Sequence, residues 1–342
     1  MSRPISSGPS KPICGPGTSP SSLPVSQSCL FWDIINCPTA GKESNPSHPC
    51  HEVLAVQKPL NFRQLPEPWN GDLSASAFMV IGSNPALDVN PDPTTPSFVH
   101  PTNYEVFPAK DNLWSGPQTL NSSNCAPFTW SAADIEDYFV NRFNNAFFHP
   151  LGLPYFNKSQ QKTLKFNCIT GKIEAKPIPN KYWQTYDNYC QAISNNKQLP
   201  YGSYSFVTTD LVHCKSGKEK GVNNALSVCM PFTQRIIDLF IKNQQPYHAI
   251  LLFCSDQKKA VVRFNIIDNA LLNIGAITVG APTIVCSYQY KRADVKNQNR
   301  EILMQCYDYN GHPIEVYYQI PAPGGNTRCC MPVPFLGKTI TW

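Results

Sequence analysis

The chain lacks three features that would assign it to a class at once. No apolar run approaches the length of a membrane-spanning helix, so no membrane partner is expected. The first residues, Met-Ser-Arg-Pro-Ile-Ser-Ser, contain no apolar segment of the kind found in signal peptides. The 14 cysteines include no Cys-x-x-Cys pair, which argues against a zinc ribbon. We therefore expect a cytoplasmic protein whose cysteines are mostly reduced, buried and apolar in behaviour.

Charge is also scarce. Only 15% of the 342 residues are Asp, Glu, Lys or Arg, where about a quarter is usual. The net charge of +5 is compatible with a polyanionic partner but does not require one. Hydrophobic residues make up 42% of the chain, enough for a large core, and the 33 prolines predict many stiff loops.

Composition divides the chain into two parts. Residues 1–28 are rich in Ser, Pro and Gly and are predicted to be a disordered tail. Residues 29–342 are predicted to form a single domain, whose first part, up to about residue 75, is an irregular layer over the main fold. Strands alternate with helices along the rest of this domain, which predicts a mainly parallel sheet covered on both faces. The expected elements are strands at 77–81, 203–208, 248–253, 283–286 and 315–320, and helices starting near Ser131 and spanning about 224–243.

The strand at 77–81 runs directly into Gly82-Ser83-Asn84-Pro85. Glycine permits a tight turn or a close approach of another group, and proline stiffens the loop. Ligand sites of open α/β sheets lie at the carboxyl edge of the strands. Such a loop is a candidate part of a site, although an ordinary strand-to-loop junction has the same composition.

Two further loops are expected at the same edge. One follows the 203–208 strand and contains Asp210, His213, Lys215 and Ser216. The other follows the 315–320 strand and runs through Pro321-Ala322-Pro323 to Asn326-Thr327-Arg328. If the three strands are parallel, the loops together offer an amide, a carboxylate, hydroxyls and a cation.

With these three loops the chain resembles the uracil-DNA glycosylase superfamily. Gly82 to Leu87 is similar to the family's water-activating motif, Thr209 to Cys214 to its base-reading motif, and Pro321 to Arg328 to its minor-groove loop. The resemblance covers roughly residues 65–342. It implies a three-layer α/β/α fold around a central, mainly parallel four-stranded sheet, and an enzyme that flips a nucleotide out of DNA and breaks its glycosidic bond.

The resemblance also implies residue roles. Asn84 matches the residue that positions the attacking water, and Phe98 matches the aromatic ring that stacks on the base. Asp88 is a candidate for a carboxylate near the developing cation, with a solvated loop residue as the alternative. Ser83 is expected to contact the base.

Two positions depart from the pattern of uracil-specific members. Those members usually have Asn where this chain has Asp210, and a carboxyl group there suits the N4 amino group and N3 of cytosine better than uracil. The alternative is that Asp210 caps a helix or binds a backbone amide. Ala86 replaces a Tyr that blocks substituents on C5 of the base. Together, Asp210 and Ala86 predict a cytosine modified at C5, such as the glucosylated hydroxymethylcytosine of phage DNA.

A third departure concerns the leaving base. Ile320 occupies a position where the family often has a catalytic His, and Ile cannot hydrogen-bond a base. A backbone amide, His213 or His312 are the candidate replacements, unless catalysis is weak.

The remaining candidate residues concern contacts to DNA and the binding of an iron–sulfur cluster. Lys215, Ser216, Asn326, Thr327 and Arg328 are expected to contact DNA, which the resemblance implies is a duplex with one flipped base. Cys214 and Cys229 fall near two iron–sulfur ligand positions of some family members. The N-terminal Cys-x-x-Cys of those members is missing, although Cys29, Cys37 or Cys50 could substitute. We therefore expect no cofactor and no metal, and a monomer.

The sequence thus predicts a DNA glycosylase that excises a 5-modified cytosine and leaves an abasic site, in defence against phage. One alternative is a repair glycosylase for uracil or a 5-substituted uracil. Another is a catalytically inactive, DNA-binding member of the family, a possibility raised by Ile320 and Asn84.

Overall fold

The fold is known from a computed structural model, which describes about two thirds of the domain in detail. The described residues are 23–37, 39, 45–56, 63–64, 66–85, 103–104, 118–120, 128–130, 132–141, 143, 148–149, 153–154, 156–157, 162–163, 178–179, 181–202, 205–216, 219–254, 256–292, 295–321 and 332–341.

Six helices lie within these ranges, and none of them is long and apolar enough to cross a membrane. They are α1 (Val25–Ile35), α2 (His51–Ala55), α3 (Ala132–Val140), α4 (Lys181–Lys197), α5 (Val222–Ile241) and α6 (Gln257–Asn273).

The strands divide into the members of one central sheet and short strands that form four two-stranded sheets and one three-stranded sheet. In chain order they are β1 (Arg63–Gln64), β2 (Phe78–Gly82), β3 (Asn103–Tyr104), β4 (Gln118–Leu120), β5 (Phe128–Trp130), β6 (Phe148–His149), β7 (Leu153–Pro154), β8 (Phe156–Asn157), β9 (Lys162–Thr163), β10 (Ile178–Pro179), β11 (Phe206–Asp210), β12 (His248–Phe253), β13 (Ile277–Arg292), β14 (Val295–Tyr309), β15 (His312–Ile320), β16 (Val333–Phe335) and β17 (Lys338–Ile340).

The central sheet has six strands in the order β11-β2-β12-β15-β14-β13. The first four are parallel to one another, and β14 and β13 add an antiparallel hairpin to β15. The mainly parallel α/β architecture expected from the sequence is therefore confirmed. The expected number of strands was wrong, because the isolated strand-like run at 283–286 belongs to a long hairpin that extends the sheet.

Burial explains why the parallel strands were visible in the sequence. All six residues of β12, His-Ala-Ile-Leu-Leu-Phe, are buried, as are the first four residues of β2 and of β11. Strands that are covered on both faces become continuous apolar runs. Their side chains form the centre of the main hydrophobic core.

The N-terminal layer begins earlier than expected. Helix α1 starts at Val25, inside the segment predicted to be a disordered tail, and Leu23 and Gln27 are already buried. Phe31 of α1 packs edge-on against Trp69 and Phe139, with ring centroids 5.5 and 5.6 Å apart. The last residues of the predicted tail therefore belong to the core, and residues 1–22 lie outside the described part of the chain.

Candidate functional site

The strands that precede the three loops singled out in the sequence end at the same edge of the sheet. Asp210, the last residue of β11, is paired with Gly82, the last residue of β2. On the other side of β2, Phe253 of β12 is paired with Ile320, which ends β15. Because the four strands are parallel, the segments that follow them start side by side, as ligand sites of this architecture require.

The first two loops are joined by backbone hydrogen bonds. The amides of Leu211 and Val212 donate to the carbonyl oxygens of Gly82 and Ser83, both at 3.1 Å. The amide of Ser216 donates to the carbonyl oxygen of Pro85 at 3.3 Å. The two loops therefore form one rigid unit beyond the ends of β2 and β11.

Asn84 is locked by the same unit. Its Nδ2 donates to the carbonyl oxygens of Pro85, at 2.8 Å, and Ser216, at 3.1 Å. These two bonds occupy both hydrogens of the amide and fix its plane. No described residue donates to Oδ1, so the oxygen is the part of Asn84 that remains for a ligand or a water.

Asp210 places a carboxyl group at this edge, at the end of the outermost strand β11. The residue is partly exposed, and a Cβ atom added to Gly82 would collide with Oδ1 of Asp210. Glycine at position 82 therefore lets this carboxyl group approach the backbone in its observed rotamer. Among the described residues none hydrogen-bonds to the carboxyl oxygens, which does not support the alternative that Asp210 caps a helix or binds a backbone amide.

The environment of Asp210 favours its neutral form. Burial and the nearby Glu67 carboxylate raise its pKa to about 8, against the opposing effect of the cations Lys215 and Arg263. A carboxylic acid that is neutral near pH 7 has both a donor and an acceptor oxygen. Such a group at a ligand-binding edge is a candidate functional residue.

Lys215 lies in the interior beside this group. Its Nζ pairs with Oε1 of Glu67 at 2.8 Å, and the side chains are only 6% and 11% exposed. Ser216 is buried as well, and its hydroxyl donates to the carbonyl oxygen of Lys220 at 2.6 Å. These positions do not support the expectation that Lys215 and Ser216 contact DNA phosphates.

Ser83 is held by an ion pair between the buried Arg263 and the partly exposed Glu219, which the sequence did not indicate. Nη1 of Arg263, on α6, donates to the Ser83 hydroxyl, and Nη2 donates to Oε2 of Glu219 at 3.1 Å. Burial would raise the pKa of the Glu219 carboxyl group, but the hydrogen bonds from Arg263 and Ser83 lower it to about 2. With these partners, Ser83 anchors the loop and is not well placed to contact a base.

The histidines proposed to replace a catalytic His at position 320 do not reach that place. His213 is buried, its Nδ1 bonds the Glu67 carbonyl oxygen at 2.9 Å, and burial lowers its pKa to about 4. His312 begins β15, whereas Ile320 ends it, about 25 Å away at the usual rise of a strand. Ile320 itself is fully buried in the core.

An aromatic residue near the site was also missed. Tyr186 of α4 packs on Phe253 and Phe206, with ring centroids 4.7 and 6.3 Å apart. Burial and the neighbouring Asp210 carboxyl group raise its pKa. The ring is therefore close enough to this carboxyl group to interact with it electrostatically, although its helix showed no motif.

Six of the residues predicted to act at the site lie outside the described part of the chain. They are Ala86, Asp88, Phe98, Asn326, Thr327 and Arg328. Their roles remain predictions from the sequence.

Four free cysteines lie together next to the second loop. Cys50, Cys214 and Cys229 belong to one small buried cluster, and the Thr39 hydroxyl lies 3.7 Å from the sulfur of Cys50 and 3.0 Å from that of Cys37. Burial raises the pKa of Cys50, Cys214 and Cys229, which keeps them as neutral thiols in this arrangement.

Four thiolates are the usual ligands of an iron–sulfur cluster, so these residues are the ones that could hold such a group. As they are placed, however, no three Cys, His, Asp or Glu side chains in the described ranges form a group that could bind a metal ion. Cys29, considered as a further ligand, is disulfide-bonded.

Two of the newly found residues left weak signals in the sequence. Arg263 is a single cation at a core position of a helix, spaced three and four residues from the buried Ala260 and Ile267. Glu219 stands between Lys218 and Lys220, a charged run that is typical of a surface segment. Glu67, whose charge acts on Asp210, lies between two prolines without any motif.

Comparison with known proteins adds no assignment to this geometry: no family model matches the chain, and no curated protein and no solved structure is detectably similar to it.

Proposed function

We propose that this protein is a DNA glycosylase that binds a flipped, 5-modified cytosine at the edge formed by β2, β11, β12 and β15. In this proposal it has the three-layer fold of the uracil-DNA glycosylase superfamily, acts as a monomer on duplex DNA and needs no cofactor. Removal of a modified base leaves an abasic site, which would block replication of phage DNA that carries such bases.

The observation that carries the proposal is the carboxyl group of Asp210. It is partly exposed, has no hydrogen-bond partner among the described residues and has a pKa of about 8. In its neutral form the hydroxyl can donate to N3 of cytosine, while the carbonyl oxygen accepts from the N4 amino group. The edge of cytosine presents this pair of groups in this order.

Asn84 supports the proposal from the neighbouring strand. Since Nδ2 is bound to Pro85 and Ser216, Oδ1 has a fixed direction and can accept a hydrogen bond from a water molecule. An amide oxygen orients water without removing its proton. This suits a reaction whose transition state resembles an oxocarbenium ion, because a weak nucleophile then suffices and its position matters most.

A second candidate function follows from the same carboxyl group. A neutral carboxylic acid can also donate to O4 of uracil and accept from N3–H, whereas an ionised one would repel O4. The raised pKa of Asp210 therefore keeps uracil, or a 5-substituted uracil, as an alternative substrate.

Excision by the Asp210→Asn variant tests the proposal. Duplexes that contain one uracil, one cytosine or one 5-hydroxymethylcytosine are incubated with wild type and variant, and released bases are quantified. We expect the ratio of cytosine-type to uracil release to fall in the variant, because uracil-specific members of the resembled family read O4 and N3–H with an Asn at this position, and an amide is a weaker donor to N3 of cytosine than a carboxylic acid.

Asp268→Asn is the matched control, since Asp268 accepts from the Tyr307 hydroxyl at 2.6 Å on α6 and its amide can still do so. An unchanged base preference in Asp210→Asn would contradict the proposed role of Asp210. Binding of DNA by wild type without release of any base would instead identify an inactive, DNA-binding protein.

A further inference from the structure

The end of β15 contains a bulge at the candidate site. Tyr317 is paired with Leu251 of β12, but the next pair joins Ile320 to Phe253, so β15 has one residue more than its neighbour over this interval. Bulges of this kind often lie next to active sites, where they redirect a side chain.

The backbone at this bulge is strained. Gln319 has a φ of 62°, which lies in the left-handed region that residues other than Gly and Asn rarely adopt. Two hydrogen bonds hold this conformation. The Tyr288 hydroxyl donates to the carbonyl oxygen of Gln319 at 3.1 Å, and the backbone amide of Cys254 donates to the carbonyl oxygen of Ile320 at 2.8 Å. Strain that the surroundings enforce so firmly is typical of functional positions.

The side chain of Gln319 is the polar group that β15 provides at this edge. Its neighbours Tyr318 and Ile320 are buried, whereas Gln319 is partly exposed and none of the described residues hydrogen-bonds to its amide. Only β12 separates β15 from β2, so the backbones at Gln319 and at the Asn84 loop are about 10 Å apart. A nucleoside spans that distance.

We propose that the side-chain amide of Gln319 donates a hydrogen bond to O2 of the leaving base, an inference that rests on the proposed glycosylase function. The bond between C1′ and N1 breaks with its electron pair going to the base, and the hydrogen bond stabilises the negative charge on N1 and O2. Water then adds its oxygen to C1′, and the proton that it releases neutralises the base. Gln319 itself transfers no proton.

The Gln319→Gly variant separates this catalytic role from a structural one. Glycine adopts a positive φ without strain, so the variant is expected to fold with an unchanged or higher melting temperature. Loss of one such hydrogen-bond donor typically lowers kcat about 100-fold. We therefore expect the single-turnover rate of base release to fall by about that factor, with little change in the affinity for DNA.

Asn310→Gly is the matched control. Asn310 also has a positive φ, of 54°, but it lies in the exposed turn between β14 and β15, at the opposite end of β15. This variant relaxes the same backbone conformation and should release base at the wild-type rate. Gln319→Glu, which keeps the size of the side chain and loses the donor, should be as slow as Gln319→Gly.

The leaving group provides a second measurement. The base of a 5-fluorocytosine duplex departs more easily, so the defect of Gln319→Gly should be smaller on that duplex than on 5-hydroxymethylcytosine. If Gln319→Gly releases base as fast as wild type, the inference about Gln319 is wrong while the glycosylase function stands. If wild type releases no base from any of these duplexes, the proposed function fails and the role of Gln319 fails with it.

Discussion

At the scale of single residues, the site depends on one glycine and one carboxyl group in adjacent strands. The importance of Gly82 could be predicted from its place at the end of an apolar strand. The reason for it, contact with Asp210, could not, since the pairing of β2 with β11 joins residues that are 128 positions apart in sequence. The effect of Glu67 on the pKa of Asp210 could not be predicted for the same reason, because these two residues are also far apart in the sequence.

Gly82→Ala tests this contact. The new methyl group collides with Oδ1 of Asp210, a short side chain that can rotate away, so we expect a cost of about 1 kcal/mol in the free energy of unfolding. The carboxyl group is then displaced from the base, and base release should fall about 100-fold. Urea unfolding and single-turnover kinetics measure the two effects.

Gly202→Ala is the control for that substitution. Gly202 is exposed and has an ordinary φ, and among the described residues its added Cβ would meet the Ser205 hydroxyl, at 3.2 Å. Base release should be unchanged in this variant. If Gly82→Ala were equally active, the close approach of Asp210 to the loop would have no role in the reaction.

The raised pKa of Asp210 has a consequence for stability. The pKa of Asp210 is about 8 in the folded protein, and the reference value for the unfolded chain is 3.8. Between these pH values the folded protein therefore binds more protons than the unfolded chain. The contribution of this group to stability is complete at low pH and is lost as the pH rises through about 8.

Unfolding by urea at pH 5, 7 and 9 tests this linkage. The free energy of unfolding of wild type should fall over this range by more than that of Asp210→Asn, which has no titrating group at this position. Base release should decline over the same interval if the neutral acid contacts the base. Equal pH dependence in the two proteins would show that Asp210 ionises like an exposed carboxyl group.

At the scale of secondary-structure elements, helix α6 ties the site to the core. Its buried face consists of Ala260, Arg263, Ile267, Ala270 and Leu271, a helical spacing interrupted by a charge. That charge is why the helix was not predicted, whereas α5, whose buried face carries no charged residue, was found almost to its ends. The charge is also what links α6 to the loop after β2.

Arg263→Met is expected to loosen this loop. The Ser83 hydroxyl and the Glu219 carboxylate lose their shared cation, which should cost about 2 kcal/mol of stability and raise the pKa of Glu219 from about 2. The amides of Leu211 and Val212, which donate to Gly82 and Ser83, should then exchange their hydrogens faster.

Lys259→Met provides the comparison, because Lys259 pairs with Glu219 at 3.0 Å and is not bonded to Ser83. Its loss should leave the exchange of both amides unchanged. Equal protection of these amides in wild type and Arg263→Met would mean that backbone hydrogen bonds alone hold the loop.

At the scale of the whole molecule, the order of the strands determines what the site contains. Four parallel strands bring together segments that begin at residues 82, 210, 254 and 320. The apolar runs of β2, β11 and β12 made most of this sheet predictable. The hairpin of β13 and β14 was not, since residues 277–284 are exposed yet uncharged and show no alternation of polar and apolar residues.

The candidate site was predictable to a similar degree. Asn84 and Asp210 were identified because polar residues follow apolar strands. Arg263 and Glu219 were not, because they act through a tertiary ion pair that leaves no local pattern. Gln319 was missed because its conformation depends on a bulge, which is set by the pairing of β15 with β12 and not by the residues of β15 alone.

The most direct test of the central claim is mass spectrometry of the bases that wild-type protein releases from DNA. The substrates are matched duplexes containing cytosine, 5-hydroxymethylcytosine, glucosylated 5-hydroxymethylcytosine or uracil. We expect release of a 5-modified cytosine and formation of an equal amount of abasic sites, with unmodified cytosine left in place. Release of uracil alone, or of no base from any duplex, would contradict it.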